Sequence, residues 1–165
     1  MLIPLIFCIA VLIGIVLTLT RLATVPEDTC FVIEKSGKYE TTWEKGIHLR
    51  MPGQKVKNKV PKKKITLPMP PQVITTSDNR QVVPHGCIIY EVQDPVKYTY
   101  GCAHVEQALA MLCSASLREI IGKLDLRSCK SAPENISEEL TAKVNSGSEP
   151  WGIRVFVARV DTIID

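Results

Sequence analysis

Between Lys45 and Lys64 the chain carries eight basic residues and no acid: Lys45, Arg50, Lys55, Lys57, Lys59, Lys62, Lys63 and Lys64. Such a run draws anions by long-range attraction, and two classes of anion come into question. Near a bilayer surface each cation is worth about 1 kcal/mol against anionic lipid headgroups, falling off within a Debye length. Nucleic acid fits less well, because the run lacks interleaved aromatic side chains for base stacking. The whole chain adds little to a nucleic-acid case, with a net charge of only +3. A solvated loop and an exposed strand face would carry the same residues, so that alternative stays open.

Other chemistry is sparse. No G-x-S-x-G occurs to place a nucleophile at a sharp turn, and no H-E-x-x-H to seat zinc. No G-x-x-x-x-G-K-[ST] or G-x-G-x-x-G exists to cradle phosphates. The histidines at 48, 85 and 104 are isolated in the sequence and read as exposed residues, not ligands. Six cysteines, at 8, 30, 87, 102, 113 and 129, form no C-x-x-C pair. That usage predicts free thiols, with neither a disulfide framework nor a metal site. No cofactor and no enzymatic activity is expected.

The elements that must carry the basic run follow from periodicity. Residues 1–20 hold no charge and sixteen apolar side chains, and twenty helical residues span about 30 Å, the hydrocarbon thickness of a bilayer. This predicts a transmembrane anchor over 1–22 and a soluble domain over 23–165. Arg21, Lys35 and Lys38 follow the span with no cation before it, which predicts a single pass with the domain on the cytoplasmic side. Cys30–Ile33, Tyr39–Trp43 and the alternating Ile47, Leu49 and Met51 read as a β-meander. Ile65–Leu67 makes a further strand. From Pro70 to Gly101 a hairpin is expected: Val73 and Ile74 open one arm, Ser77-Asp78-Asn79 turns, and Cys87–Val92 returns until Asp94-Pro95 ends it. Pro84 within that arm implies an edge or a bulge.

Helical spacing then takes over. Val105, Leu109, Leu112, Ser116 and Ile120 form a stripe over 103–123, widened by Ala108, Leu117 and Ile121. Arg118 on this helix reads as a partner in a structural ion pair. A short helical turn opens at Leu124-Asp125-Leu126. Ser131 with Glu134 reads as a capping box for a further helix whose stripe is Ile136, Leu140 and Val144, stopped by Asn145–Gly147. A last strand follows with Ile153, Val155 and Val157 facing one way.

Several ordered motifs run through these elements. They are Val25-Pro26; Glu34, Gly37, Lys38 and Tyr39; Glu44, Gly46, His48 and Pro52; and Val73-Ile74-Thr75 with Asp78-Asn79, then Tyr90-x-Val92-x-Asp94-Pro95. Leu117-Arg118 with Gly122, and Glu149-Pro150-Trp151-Gly152-Ile153, complete the set. The order resembles the stomatin/prohibitin group, also called Band 7 or SPFH proteins, and the resemblance covers residues 25–165. Ser36, Pro84 and His85 depart from the family pattern. The resemblance implies an α+β fold, with a curved, mostly antiparallel sheet packed by helices. It implies a membrane-anchored, homo-oligomerising scaffold that organises membrane microdomains and holds or regulates membrane proteases or channels. Relatives continue into a long helix that drives assembly. This sequence stops at Asp165 without that coiled coil, so either it is a fragment of a longer chain or weak association through the domain alone is expected. A monomeric, membrane-tethered module binding one protein through a sheet edge is the alternative. A membrane-anchored hydrolase is the third.

Overall fold

The computed structural model describes residues 22–164, and the anchor expected over 1–22 lies almost wholly outside them. Among the described residues no helix is long and apolar enough to cross a membrane. The architecture is α+β, and the chain divides after Pro61 into two compact units.

The described residues of the first unit form five strands: β1 (Leu22–Val25), β2 (Thr29–Lys35), β3 (Lys38–Trp43), β4 (Gly46–Leu49) and β5 (Gln54–Pro61). β2 is central, paired antiparallel with β3 on one edge and β5 on the other. Ser36 and Gly37 link β2 to β3 with φ of 53° and 80°, the backbone that matches the right-handed twist of a two-residue hairpin. Ser36 therefore occupies a position that a glycine or asparagine takes with less strain.

The expected meander does not continue. β4 turns away from β3 and pairs with β1, Leu22 against Leu49 and Thr24 against Ile47. Facing residues of an antiparallel pair share a side of the sheet. Leu22, Thr24, Ile47 and Leu49 thus lie on one face of this ribbon, and Ala23, Val25 and His48 on the other. The second face joins the core, where Val25, Phe31, Ile33 and Trp43 pack with Ala23 and Val56.

In the second unit the 12-residue β8 (Gln81–Val92) is the spine. β6 (Ile65–Pro68) and β7 (Ile74–Thr75) pair with successive stretches of one edge, and β9 (Ile153–Ile164) runs along the other. The hairpin arm at β7 is only two residues long, and Val73 lies outside it, exposed. Pairing on that edge lapses between Pro68 and Ile74. Pro84 falls opposite the lapse, and the register shifts immediately after it, between His85 and Gly86. The expected bulge is there, although Pro84 is buried in the middle strand and not on an edge.

Four helices follow: α1 (Pro95–Tyr100), α2 (Val105–Ile121), α3 (Leu126–Ser131) and α4 (Pro133–Ser148). The stop at Asp94-Pro95 is also a helix start, because the Asp94 carboxylate accepts from the N–H of Val96 and Lys97 and proline suits the first turn. α2 buries Val105, Leu109, Ser116, Leu117, Ile120 and Ile121 as expected, with Cys113 in place of the half-buried Leu112. α4 buries Ile136, Leu140 and Val144.

Two expected signals at α4 do different work. Ser131 ends α3, donating to the Ser128 carbonyl, so it is not free to cap, and Ala132 stands at the α4 N-cap with no side-chain bond. Asn145–Gly147 does not stop the helix, which runs to Ser148. Gly147 instead admits Leu112 of α2, for a Cβ there would meet Leu112 Cδ2 at 2.9 Å. The chain turns at Gly152, left-handed at φ 69°, whose carbonyl accepts from the N–H of Gln93 and Asp94.

Asn145 belongs to a ladder that closes the sheet edge. The N–H of Val155 donates to Asn145 Oδ1 (3.0 Å), that of Ala158 to Thr141 Oγ1 (2.8 Å) and that of Val160 to Ser137 Oγ (3.0 Å). The two hydroxyls donate in turn to the carbonyls of Pro133 and Ser137. Three residues at four-residue spacing on α4 so occupy the donors that an edge strand would otherwise present to another chain. Ser137→Ala, Thr141→Ala or Asn145→Ala leaves a β9 N–H unpaired, and each is expected to cost about 1–3 kcal/mol. Urea unfolding checks this as a lower midpoint with an unchanged slope.

Candidate functional site: a cationic run and an outward apolar ribbon

All eight basic residues of the run are exposed, but the fold divides them. Lys45, Arg50, Lys55, Lys57 and Lys59 belong to the first unit, and Lys62, Lys63 and Lys64 to the second. On β5, Lys55, Lys57 and Lys59 alternate with Val56, Asn58 and Val60, as the twofold period of a strand requires. Several have local partners. Lys45 pairs with Glu27 and Lys57 with Glu34, both at 3.5 Å. Lys59 lies 5.3 Å from the Phe31 ring centre and Lys64 lies 4.3 Å from that of Phe156. Exposed pairs of this kind hold their cations weakly, so their charge stays available to a surface.

The alternation at Ile47, Leu49 and Met51 is real, yet it faces outward. Ile47 is 72% exposed, Met51 56% and Leu49 50%, and Leu22 beside Leu49 is also exposed. Scattered exposed apolar residues are ordinary, whereas a contiguous strip marks a contact surface. Arg50 lies within the strip's own span and Lys45 immediately before it. The turn between β3 and β4 is held from inside. His48 stacks on Trp43 with ring centres 5.0 Å apart, and its Nε2 lies 2.7 Å from the Glu44 carbonyl. His48 is therefore half-buried and structural, while His85 and His104 are exposed as expected.

Arg118 is exposed and makes no ion pair among the described residues. The neighbouring Glu119 does the pairing instead, with Lys143 at 2.7 Å and Lys123 at 2.9 Å. Hydrogen bonds from Lys143, then Lys123, hold the Glu119 carboxyl down at about 2, from 4.5. A depressed carboxylate stabilises the fold fully above its unfolded value, and that contribution drains as pH falls from 4.5 through about 2. Glu119→Gln should therefore flatten the stability profile over that window, with the difference shrinking in high salt because the group is exposed. Acid titration of the urea midpoint measures it.

Cys30, Cys87, Cys102, Cys113 and Cys129 are free thiols, and Cys8 lies outside the described residues. Burial raises the Cys113 thiol to about 11, which makes it a poor nucleophile at neutral pH. Among the described residues no three His, Cys, Asp or Glu come together to hold a metal ion.

Residues 23–165 match the SPFH domain / Band 7 family. The chain belongs to that family. Relatives of this SPFH domain include an uncharacterized protein of Methanothermobacter thermautotrophicus, 33% identical over 132 residues, covering 80% of this chain and 42% of that protein. Stomatin-like protein stl-1 of Caenorhabditis elegans is 30% identical over 131 residues (79% and 40%). Human stomatin-like protein 2, mitochondrial, is 27% identical over 131 residues (79% and 37%). These names place the SPFH domain within the stomatin/prohibitin group. The chain spans about two-fifths of the length of these relatives.

The family's E-x-G-h-H motif, where h is apolar, now has a physical role, as the locked turn that aims the apolar ribbon. The alternation at Ile47, Leu49 and Met51 is visible in the sequence, which by itself gives it no outward role. Its signal was the uncharged stretch that ends just before Leu22, the residue paired with Leu49.

Proposed function

We propose that this SPFH domain is the membrane-apposed part of a scaffold that self-associates on a bilayer and holds or regulates membrane proteins such as proteases or channels. The observation that carries the reading is the outward apolar ribbon of Leu22, Ile47, Leu49 and Met51, which begins two residues after a twenty-residue uncharged stretch. Apolar side chains placed at a headgroup boundary gain burial that water denies them. Cations beside them gain attraction to anionic lipid. The relatives named stomatin-like proteins support the scaffold reading. In that arrangement residues 1–20 are the anchor and the domain lies on the cytoplasmic side.

Vesicle flotation tests it. A chain beginning at Ala23 should float with phosphatidylserine vesicles, and raised salt should weaken the binding without abolishing it. Equal failure on anionic and neutral vesicles would overturn the reading. The alternative, a lone module recruiting one protein through a sheet edge, loses its longest edge here. The β9 donors are already taken by Ser137, Thr141 and Asn145, and strand addition needs free main-chain donors. The hydrolase reading gains no support from His48, committed to Trp43 and Glu44, or from the raised Cys113 thiol.

A further inference from the structure

The outer face of the second unit's sheet carries an apolar patch with cations over it. The register of β8 with β9 shifts between Ile89 and Tyr90, leaving Phe156 as the extra residue of a bulge. A bulge re-aims a side chain and breaks the in–out alternation. Phe156 is 37% exposed and Val157, paired with Ile89, is 39% exposed, although Val157 was expected to face the same way as Val155, which is buried. Over Phe156 sit Lys64 Nζ at 4.3 Å and Arg154 Cζ at 5.6 Å from the ring centre. Neither cation makes an ion pair among the described residues, and Glu91 faces Arg154 across the ladder.

A different surface of the same unit has the opposite character. α4 directs Ile136, Leu140 and Val144 to the core and Ser137, Thr141 and Asn145 to the β9 edge. Glu134 and Glu138, one turn apart, are left exposed on its outer side. Neither has an ion partner among the described residues, whereas Glu139 beside them is bound to Lys143.

We infer that the Phe156–Val157 face, with Lys64 and Arg154, is a docking surface for the Glu134–Glu138 side of α4 from a second copy of this chain. The occupant follows from charge complementarity: unpaired cations frame an apolar patch on one surface, and unpaired carboxylates line another surface of the same unit. Strand pairing through the β9 edge is closed by the α4 ladder, which leaves the outer faces of this sheet and of α4 open to contact. The two surfaces differ, which makes the contact head-to-tail, and such contacts generate rings or filaments. The inference rests on the self-association proposed above and names the surface that performs it.

Zero-length cross-linking of the full chain in phosphatidylserine vesicles tests it. Isotope-labelled and unlabelled copies are mixed, and a carbodiimide joins lysine amines directly to carboxylates. Peptides linking Lys64 to Glu134 or Glu138, one labelled and one not, are expected. The double variant Glu134→Lys with Glu138→Lys should lose about tenfold in multimer yield, as should Lys64→Glu with Arg154→Glu. Mixing the two variants should restore multimers in which they alternate, a rescue that only folded chains can give. Multimers lacking the mixed-isotope peptides, or either variant assembling by itself as the native chain does, would overturn this surface and leave the scaffold reading standing. Vesicle-bound chains that never cross-link to one another would overturn both.

Discussion

Gly86→Ala is expected to unfold the second unit. A Cβ at Gly86 would lie 1.9 Å from the Arg159 carbonyl oxygen and 2.9 Å from its carbon. Both are backbone atoms in the β8–β9 ladder, so no side chain can swing aside to make room. The strands would have to separate beside the register shift that the fold places between His85 and Gly86. That separation would also disturb α4, whose ladder is bonded to the far edge of β9. Substitutions that force backbone apart in this way belong to the group costing about 4 kcal/mol or more, a large share of the roughly 5–15 kcal/mol that a domain has. Urea unfolding followed by circular dichroism should show loss of the cooperative transition or a large drop in its midpoint. Gly37→Ala is the control. Nothing lies within 4 Å of its added Cβ, so only its φ of 80° is strained, at a cost of about 1 kcal/mol. A native midpoint for Gly86→Ala would mean that β8 and β9 can shift registers freely.

The double substitution Ile47→Asn with Leu49→Asn should have the opposite profile, sparing the fold and removing the function. Both side chains point away from the core on a ribbon whose other face packs through Val25 and Ala23. Exposed positions of this kind change stability by no more than about 0.5 kcal/mol. If the two side chains seat in the headgroup boundary, full burial would be worth about 1.5–3 kcal/mol each. Half-burial of both then corresponds to about ten- to a hundredfold in vesicle affinity. Flotation of the chain beginning at Ala23 measures the loss. Salt separates it from the cationic part, since screening weakens attraction between exposed charges and lipid but leaves apolar burial intact. Unchanged binding of this variant would assign the attachment to the basic residues alone.

Much of the fold is legible in the sequence. The helix expected over 103–123, the stripe of Ile136, Leu140 and Val144, the Ser77-Asp78-Asn79 turn with Asn79 at φ 61° and the break at Asp94-Pro95 all rest on local causes. Periodicity, left-handed turns and the missing N–H of proline act within a few residues, so a sequence displays them directly. The family motifs are likewise read in order along the chain. The readings that changed depended on a remote partner. Ser131 looked like a cap until α3 took it, and Asn145 and Gly147 looked like a stop until β9 and Leu112 claimed them. Val157 turned outward because the extra residue of the bulge, visible only against β8, shifted its phase by one. The same holds for the ribbon. The alternation of Ile47, Leu49 and Met51 establishes that one side of the strand is apolar, but a period of two has no sign. Pairing with β1, together with the packing of Val25 and His48 toward Trp43, turned that apolar side to the outside.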